Sequence, residues 1–490
     1  MAANPNMQTL RDWLPFTRTD TAEDAPIPEA WRLPLAGLDP VAKSTELRRQ
    51  LIIHLELSTN PHARLKLLEA TFQESVGTLP VIEALISRAD LPLPSDVLQA
   101  ALAADNLLKS MAAGYIGVIE SLRAQKVPAS ASHLIRVSTL RAVQCLVNRQ
   151  QLACRAYAPA SPNTWQQLHA IYAYARQQGL GHYSNGGRTL EAEYIGGVLL
   201  AYADPTKFSR QDLVPLIECA SHFASQVQIR GANSIAPNAA RSAQFLIQES
   251  DRHPGKRLRT APPEEWKQGW VVDCIPMVAT LSALIARRQQ NLPDDPGDPA
   301  TPTGILQKSL NMWRGQRGRR FARQSFKPRG ELVTGLSALI LALDTDVVAE
   351  GSEWAILDES PDGFGLRYLR GNATELQVGE LVGLRPRERE RLHVCLIRRV
   401  VNAGAARLEL GLQEIAPIAF PVPIPNEHAT KKQALFFPTM PAHRGISGAL
   451  ARTGELHAGV QLNIAGHPAM SALRPIETDE RYELWELTTR

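Results

Sequence analysis

A cationic segment lies between Trp313 and Arg329 of this 490-residue sequence. It holds six arginines and one lysine and contains no acidic residue. An arginine guanidinium is planar and always charged, and it donates two parallel hydrogen bonds to an oxyanion, so the segment suits phosphate groups. Most charge runs are nevertheless solvated surfaces. The segment therefore predicts a site only if matching groups occur elsewhere in the chain.

A second set of polar residues follows in the sequence Asp-Glu-Ser-Pro-Asp-Gly at 358–363. Asp358 and Ser360 are two positions apart, so on a strand both side chains face the same side. Gly363 allows a tight turn and a close approach of backbone where a side chain would clash. A β-turn stabilised by its own Asp and Ser side chains is the plainer interpretation, and both interpretations can hold at once.

The elements before the cationic segment have a helical period. From about residue 44 to residue 290 the apolar residues recur as on helices, and Asn60-Pro61 and Ser161-Pro162 have the form of helix starts. The run Gln244–Gln248 is a candidate short strand, and Trp270–Arg288 predicts a further helix. An α-helical bundle or irregular solenoid follows from this pattern.

The sequence after Gly330 has a different pattern. Short apolar runs alternate with turn residues about every ten positions, which is typical of a small antiparallel barrel. The predicted strands are Trp354–Leu357, Gly365–Leu369, Leu381–Leu384, Leu392–Ile397 and Arg407–Leu412. The run Gly335–Leu343 fits either a helical insertion or a plain strand. The four prolines between Pro417 and Pro425 separate a last segment with strand-like runs of its own.

Taken in order, the two polar sets resemble a known signature. Arg319 and Arg323 form an RxxxR pattern, and Asp358, Ser360 and Gly363 form a DxSxxG pattern at the entrance of the predicted barrel. This combination resembles the PilZ family over roughly residues 313–417, about a fifth of the chain. Arg323 and Asp358 are 35 positions apart, which is somewhat longer than the family pattern leads us to expect.

The resemblance implies a ligand and a role for each motif residue. PilZ domains bind cyclic di-GMP, a dianion with two guanine bases. Arg319 and Arg323 are then expected to contact phosphate and guanine, because a guanidinium fork also matches the N7 and O6 acceptors of guanine. The carboxylate of Asp358 and the hydroxyl of Ser360 suit the opposite, donor-bearing edge of guanine, and Gly363 the turn.

Two more arginines of the segment are candidates for the same ligand. Arg320 is assigned to a second, intercalated nucleotide, with Arg317 as an additional contact. No catalytic residue, metal ligand or cofactor other than the ligand cyclic di-GMP is predicted.

The fold class that follows is α+β multidomain: an all-α helical bundle or solenoid, then a PilZ-like antiparallel β-barrel and a small C-terminal β-rich unit. The predicted domains are a tail at 1–43, an α-helical domain at 44–290, a linker with a short helix at 291–312, the barrel domain at 313–417 and a C-terminal β-rich subdomain at 418–490.

The bulk composition limits the remaining function classes. The net charge is +4, and because the cationic segment exceeds this surplus, the rest of the chain is slightly acidic. No apolar run approaches the length of a membrane span, and the five cysteines form no CxxC pair, so buried thiols in a reducing, cytoplasmic setting are expected. The tripeptide Glu83-Ala84-Leu85 matches a phosphodiesterase motif only by accident, since its expected flanking residues are missing.

The function predicted from the sequence is a non-catalytic cyclic di-GMP receptor that passes its ligand state to an unidentified protein partner through the helical domain. Two alternatives stay open at this stage. The first is a nucleic-acid-binding protein that uses the basic run 314–329 on phosphates. The second is a degenerate PilZ-like scaffold that binds protein only.

Overall fold

The protein is described from a computed structural model. The described residues are 35, 37–126, 132–235, 242–315, 324–325, 329–345, 351–373, 376–387, 391–402, 407–425, 432–478 and 481–489. The chain divides into two compact units. The first comprises Met1–Ala89, Leu93–Pro205 and Gln211–Arg317, and the second comprises Asp90–Pro92, Thr206–Arg210 and Gly318–Arg490.

The first unit is built mainly of helices. They are α1 (Pro40–Leu57), α2 (Pro61–Arg88), α3 (Ser95–Ala124), α4 (His133–Arg155), α5 (Pro162–Gln177), α6 (Leu190–Tyr202), α7 (Leu213–Phe223), α8 (Ile275–Gln289) and α9 (Thr303–Arg314). The two predicted starts are confirmed. Asn60 caps α2 by accepting a hydrogen bond from the backbone N–H of His62, and Ser161 caps α5 in the same way.

A four-stranded antiparallel sheet also belongs to this unit, so the predicted domain is not all-α. The strands are β1 (Gln228–Gly231), β2 (Gln244–Gln248), β3 (Lys256–Arg257) and β4 (Gly269–Asp273), in the order β1-β4-β2-β3. The prediction of β2 is confirmed. The predicted helix Trp270–Arg288 is wrong at its start: the β-branched pair Val271 and Val272 lies in β4, and the helix begins only at Ile275.

The barrel of the second unit is closed. Its strands are β5 (Gln324–Ser325), β6 (Arg329–Thr334), β7 (Ser352–Ser360), β8 (Gly363–Gly371), β9 (Leu381–Pro386), β10 (His393–Asn402) and β11 (Leu408–Ala416). The sheet order is β5-β7-β6-β9-β10-β11-β8, and a further pairing of β7 with β8 closes it. All five predicted barrel strands are confirmed. Trp354 and Ile356 are buried, as the alternation predicts.

The run after β6 is a helix, α10 (Leu336–Thr345), which settles the alternative that the sequence left open. Leu336, Leu339 and Ala342 lie three apart and are all buried, so one face of the helix packs into the unit. Gly383 of β9 makes room for it, because a Cβ atom there would lie 2.8 Å from Cδ2 of Leu339. The helix therefore belongs to the core that supports the barrel.

The last segment forms a six-stranded antiparallel sheet. Its strands are β12 (Phe420–Pro423), β13 (Gln433–Met440), β14 (Ile446–Arg452), β15 (Gln461–Leu462), β16 (Met470–Thr478) and β17 (Tyr482–Thr489), in the order β12-β13-β14-β17-β16-β15. The proline-rich stretch is thus a strand and not a plain separator. It pairs with β13 on one side only, and an edge strand tolerates prolines because it needs fewer N–H donors.

The barrel and the last sheet share one hydrophobic core. It contains Leu381 and Val394 of the barrel together with Leu435, Phe437 and Leu484 of the sheet. Among the residues that the structure describes, no helix is both long enough and apolar enough to cross a bilayer.

Candidate functional site

The predicted site residues fall into two groups in the structure. Arg317, Arg319, Arg320 and Arg323 lie outside the described residues. Asp358, Ser360 and Gly363 lie on β7 and β8 of the barrel, which form a hairpin.

The hairpin turn gives the DxSxxG residues a defined register. Ser360 is paired with Gly363, and Asp358 is paired with Gly365. The Oγ atom of Ser360 donates a hydrogen bond to the backbone oxygen of Gly363 at 3.3 Å. The side chains of Asp358 and Ser360 are half-buried, so both polar groups reach the barrel surface. The prediction of a turn stabilised by its own side chain is confirmed for Ser360, while the ligand contacts stay a prediction.

Gly363 is required by the geometry of this turn. Its φ angle is +142°, and a Cβ atom at this position would lie 2.0 Å from the backbone oxygen of Leu412 on β11. At the residue before Gly363, the backbone oxygen of Asp362 accepts a hydrogen bond of 3.0 Å from the backbone N–H of Glu414, which is also on β11. The turn is therefore pressed against β11 by backbone contacts that leave no space for a side chain.

The strands behind the turn add polar groups that the sequence analysis missed. Arg398 of β10 donates from Nε to Gln413 of β11 at 2.7 Å, and its two Nη atoms each contact Glu477 at 2.7 Å. His393 and Glu414 are joined by a contact of 2.6 Å between Nδ1 and Oε1. No motif or spacing in the sequence marked these contacts.

The two ends of the cationic segment lie among the described residues. Its first residue, Trp313, is buried and donates from Nε1 to the oxygen of Leu199 at 2.9 Å. Arg314 donates to Ser282 at 2.6 Å, and Arg329 at the other end contacts Glu353 at 3.1 Å. Both terminal arginines thus have partners within their own units.

Within the cationic segment, the chain pairs with the DxSxxG strand directly after Arg323. Gln324 and Ser325 form β5, in which Gln324 is paired with Glu359 and Ser325 with Asp358. Arg323 is the residue that immediately precedes Gln324 in the sequence. The end of the RxxxR pattern and the start of the DxSxxG pattern are therefore joined through a strand pairing.

Among the described residues, the metal-ligating side chains form no cluster that could hold a metal ion, and the thiols are not exposed. In the ranges that the structure covers, no group of three or more His, Cys, Asp or Glu side chains could hold a metal ion. All five cysteines are buried, as predicted. Burial raises the pKa of the Cys145 and Cys154 thiols to about 12, which makes them poor nucleophiles.

Comparison with protein families gives two matches. Residues 28–234 match the family model described as "Cyclic-di-GMP receptor FimW, N-terminal domain". Residues 346–421 match the family model described as "Cyclic-di-GMP receptor FimW, middle PilZ domain". A search of curated proteins finds no match. The second matched range contains the DxSxxG hairpin, and the cationic segment lies between the two matched ranges.

Proposed function

We propose a function that follows from the family of this chain. The chain belongs to the PilZ-domain cyclic-di-GMP receptors of the FimW type, in which an N-terminal domain precedes the PilZ domain. The chain itself binds cyclic di-GMP through Arg319 and Arg323 of the RxxxR pattern and through Asp358, Ser360 and Gly363 of the DxSxxG pattern. Arg320, with Arg317 as an additional contact, assists at a second nucleotide.

The pairing of β5 with β7 is the observation that carries this proposal. It places the residue that follows Arg323 opposite Glu359, inside the DxSxxG pattern. A cyclic dinucleotide presents anionic phosphates and flat guanine bases within one small molecule, so its receptor needs cations and edge-recognising groups side by side. A chain that leaves the arginine pattern and at once joins the carboxylate-bearing strand meets that need.

Each group has chemistry suited to one part of the ligand. The guanidinium groups of Arg319 and Arg323 neutralise phosphate or donate to the N7 and O6 atoms of guanine. Asp358 accepts from the N1–H and N2–H donors of the opposite edge, and Ser360 can do so while it donates to Gly363, since a hydroxyl keeps acceptor lone pairs.

Ligand binding is then coupled to output by chain connectivity. The segment 316–323 connects α9 of the first unit with β5 of the second, so its bound arrangement can be sensed by both. In our proposal the helical unit carries the surface for a protein partner, and the receptor works in the cytoplasm without catalysing a reaction. The ligand shifts the receptor only as far as it binds one arrangement better than another.

Isothermal titration calorimetry with the purified full-length chain tests the binding step. We expect heat on addition of cyclic di-GMP and loss of that heat in the Arg319→Ala/Arg323→Ala variant. The matched control is Arg452→Ala/Arg474→Ala, which removes two exposed arginines of the last sheet and should bind like the wild type. Absence of heat with the wild type, or full binding by the RxxxR variant, would contradict the proposal.

The nucleic-acid alternative makes a different prediction in the same assay. Binding of an RNA oligonucleotide through phosphates would weaken steeply as salt increases and would be indifferent to Asp358→Ala. Binding of cyclic di-GMP should instead be reduced by Asp358→Ala, because the lost carboxylate leaves guanine donors without an acceptor.

A further inference from the structure

The β7–β8 hairpin has a second polar cluster at the end opposite its turn. There Ser352 is paired with Gly371, whereas Ser360 is paired with Gly363 at the turn. A surface cavity of about 230 Å³ lies at this far end and is lined in part by Arg370, Arg387, Glu331 and Glu353. At about 3.3 Å per residue along β7, the two ends are roughly 25 Å apart. The cavity is therefore separate from the DxSxxG turn.

One carboxylate organises three arginines, two of which line this cavity. We call the group the Glu353 cluster (Arg329, Glu331, Glu353, Arg370 and Arg387). Oε1 of Glu353 accepts hydrogen bonds from Nη1 of Arg329 at 3.1 Å and from Nη2 of Arg387 at 2.7 Å. Its Oε2 accepts a hydrogen bond from Nε of Arg370 at 2.6 Å. The arginines come from β6, from β8 and from the residue after β9. They are thus held together although they are distant in sequence.

The carboxylate is covered and the arginines are not. The side chain of Glu353 is 9% exposed, while those of Arg329, Arg370 and Arg387 are 56%, 76% and 52% exposed. Each guanidinium has five N–H donors, and each uses one of them in these contacts with Glu353. Most N–H donors of the three arginines are therefore not used by Glu353.

The cluster keeps a net positive charge of one, because three arginines face two glutamates. Glu331 is paired with Glu353 across β6 and β7, and on its other side with Arg385 of β9. Two like charges opposite each other on neighbouring strands repel, so the arginines are needed to hold both glutamates there. The result is a mixed-charge surface with three exposed arginines, an exposed Glu331 and a covered Glu353.

We propose that the Glu353 cluster is a docking site for an acidic polypeptide segment of a protein partner. An incoming Asp or Glu carboxylate replaces water on the exposed faces of Arg370 and Arg387, and Glu331 accepts a hydrogen bond from a backbone N–H of the same segment. Glu353 pre-organises the arginines, so their side chains lose less freedom on binding than mobile arginines would.

The size and charge of the cavity select this class of ligand. Pockets that enclose a small molecule usually measure about 300 to 1,000 Å³, and this cavity is smaller and open at the surface. It therefore fits a side chain presented by a larger molecule. Nucleic acid is disfavoured because its backbone has no N–H to donate to the exposed Glu331, whose carboxylate would instead repel the phosphates.

Fluorescence anisotropy with the full-length chain tests the proposal at low salt. The probe is a blocked, fluorescein-labelled peptide in which glutamate alternates with serine, and the titration uses the Arg319→Ala/Arg323→Ala background because the cationic segment attracts acids as well. We expect the peptide to bind and its glutamine counterpart not to bind. Adding Arg370→Glu and Arg387→Glu should weaken binding by about tenfold, the effect of losing two modest ion pairs.

The matched control adds Arg452→Glu and Arg474→Glu to the same background, because Arg474 is 73% exposed and also contacts a glutamate. It should bind the peptide like the background. Equal loss in both charge-reversed variants, or no binding of the glutamate peptide, would overturn the proposal. So would stronger binding of a uridine oligonucleotide than of the peptide when that binding depends on Arg370 and Arg387.

A second variant guards against misfolding of the charge-reversed chain. Arg387→Gln keeps a polar side chain but removes the positive charge, so it should still weaken peptide binding while the melting temperature stays close to that of the background. Unchanged binding in a folded Arg387→Gln chain contradicts the role given to this arginine.

Discussion

Ser325 lies opposite Asp358 in the antiparallel pairing of β5 and β7. β5 and β6 pair with the same edge of β7. β6 pairs with the first part of the strand, where Arg329 lies opposite Ala355, and β5 pairs with its last part. The chain therefore rejoins the barrel at the first residue of the DxSxxG pattern. In the proposed receptor this short strand fixes the distance between the arginine pattern and the residues that recognise guanine.

We expect Ser325→Pro to weaken cyclic di-GMP binding by at least about tenfold although it changes no proposed contact residue. Proline removes the backbone N–H and fixes φ, so it opposes the pairing of β5 with β7. Calorimetry gives the affinity, and thermal unfolding should be nearly unchanged because β5 pairs with β7 alone at the end of the sheet order.

Ser325→Ala is the matched control for that prediction. It removes the hydroxyl and keeps the backbone N–H, so the pairing and the affinity should both survive. An affinity that falls equally in the two variants would mean that the side chain matters and not the strand pairing.

The barrel was predictable from the sequence because its strands have local signals. Runs such as Leu392–Ile397 are short, apolar and bounded by turn residues, and the structure places this one within β10 except for its first residue. The DxSxxG hairpin was predictable for the same reason, since Ser360 and Gly363 are separated only by the turn.

Features that depend on distant pairings were not predictable. Val271 and Val272 precede a true helix, so only the partners β1 and β2 show that they form a strand. The Glu353 cluster has no spacing signal either, because sheet register alone brings Arg329, Arg370 and Arg387 to one carboxylate. Propensity and period describe neighbours in sequence, and these contacts arise only from tertiary structure.

Glu380→Ala should destabilise the second unit by about 2 to 3 kcal/mol, the range expected when one partner of a largely buried, hydrogen-bonded pair is removed. Glu380 is 2% exposed and accepts hydrogen bonds from Arg481 and, at 3.1 Å, from the hydroxyl of Tyr482. Burial and the Glu380 carboxylate raise the pKa of Tyr482 to about 12. Urea unfolding followed by circular dichroism measures the change.

The control for that prediction is Glu486→Ala, which breaks the contact with the exposed Arg474. Exposed ion pairs contribute little, so a change below about 1 kcal/mol is expected. A larger loss for Glu486→Ala than for Glu380→Ala would contradict the importance assigned to the buried carboxylate.

Glu353→Gln should lower the melting temperature at neutral pH, and the difference from the wild type should shrink in acid. The hydrogen bond from Arg370, followed by that from Arg329, holds the pKa of Glu353 below its ordinary value. A carboxyl whose pKa is lower in the folded state contributes stability above its unfolded pKa and loses it as pH falls through the folded value. The groups that face it are the arginines of the cluster and Glu331. Thermal scans between neutral pH and acid measure the difference, and a gap that grows in acid contradicts this assignment.

Gly363→Ala should both destabilise the barrel and remove cyclic di-GMP binding, because the turn that carries Ser360 must move. The added Cβ would lie 2.0 Å from the backbone oxygen of Leu412 at a φ angle of +142°, and the neighbouring atoms are backbone, which cannot rotate away. We expect a loss of about 2 to 4 kcal/mol, measured by chemical unfolding, from the combined strain and overlap. Gly304→Ala is the matched control: a Cβ at Gly304, within α9, meets nothing within 4 Å, so stability should hold or rise slightly. A Gly363→Ala chain with wild-type stability and affinity would show that β11 yields to the new methyl group, and the close approach of the turn would then not be needed for the site.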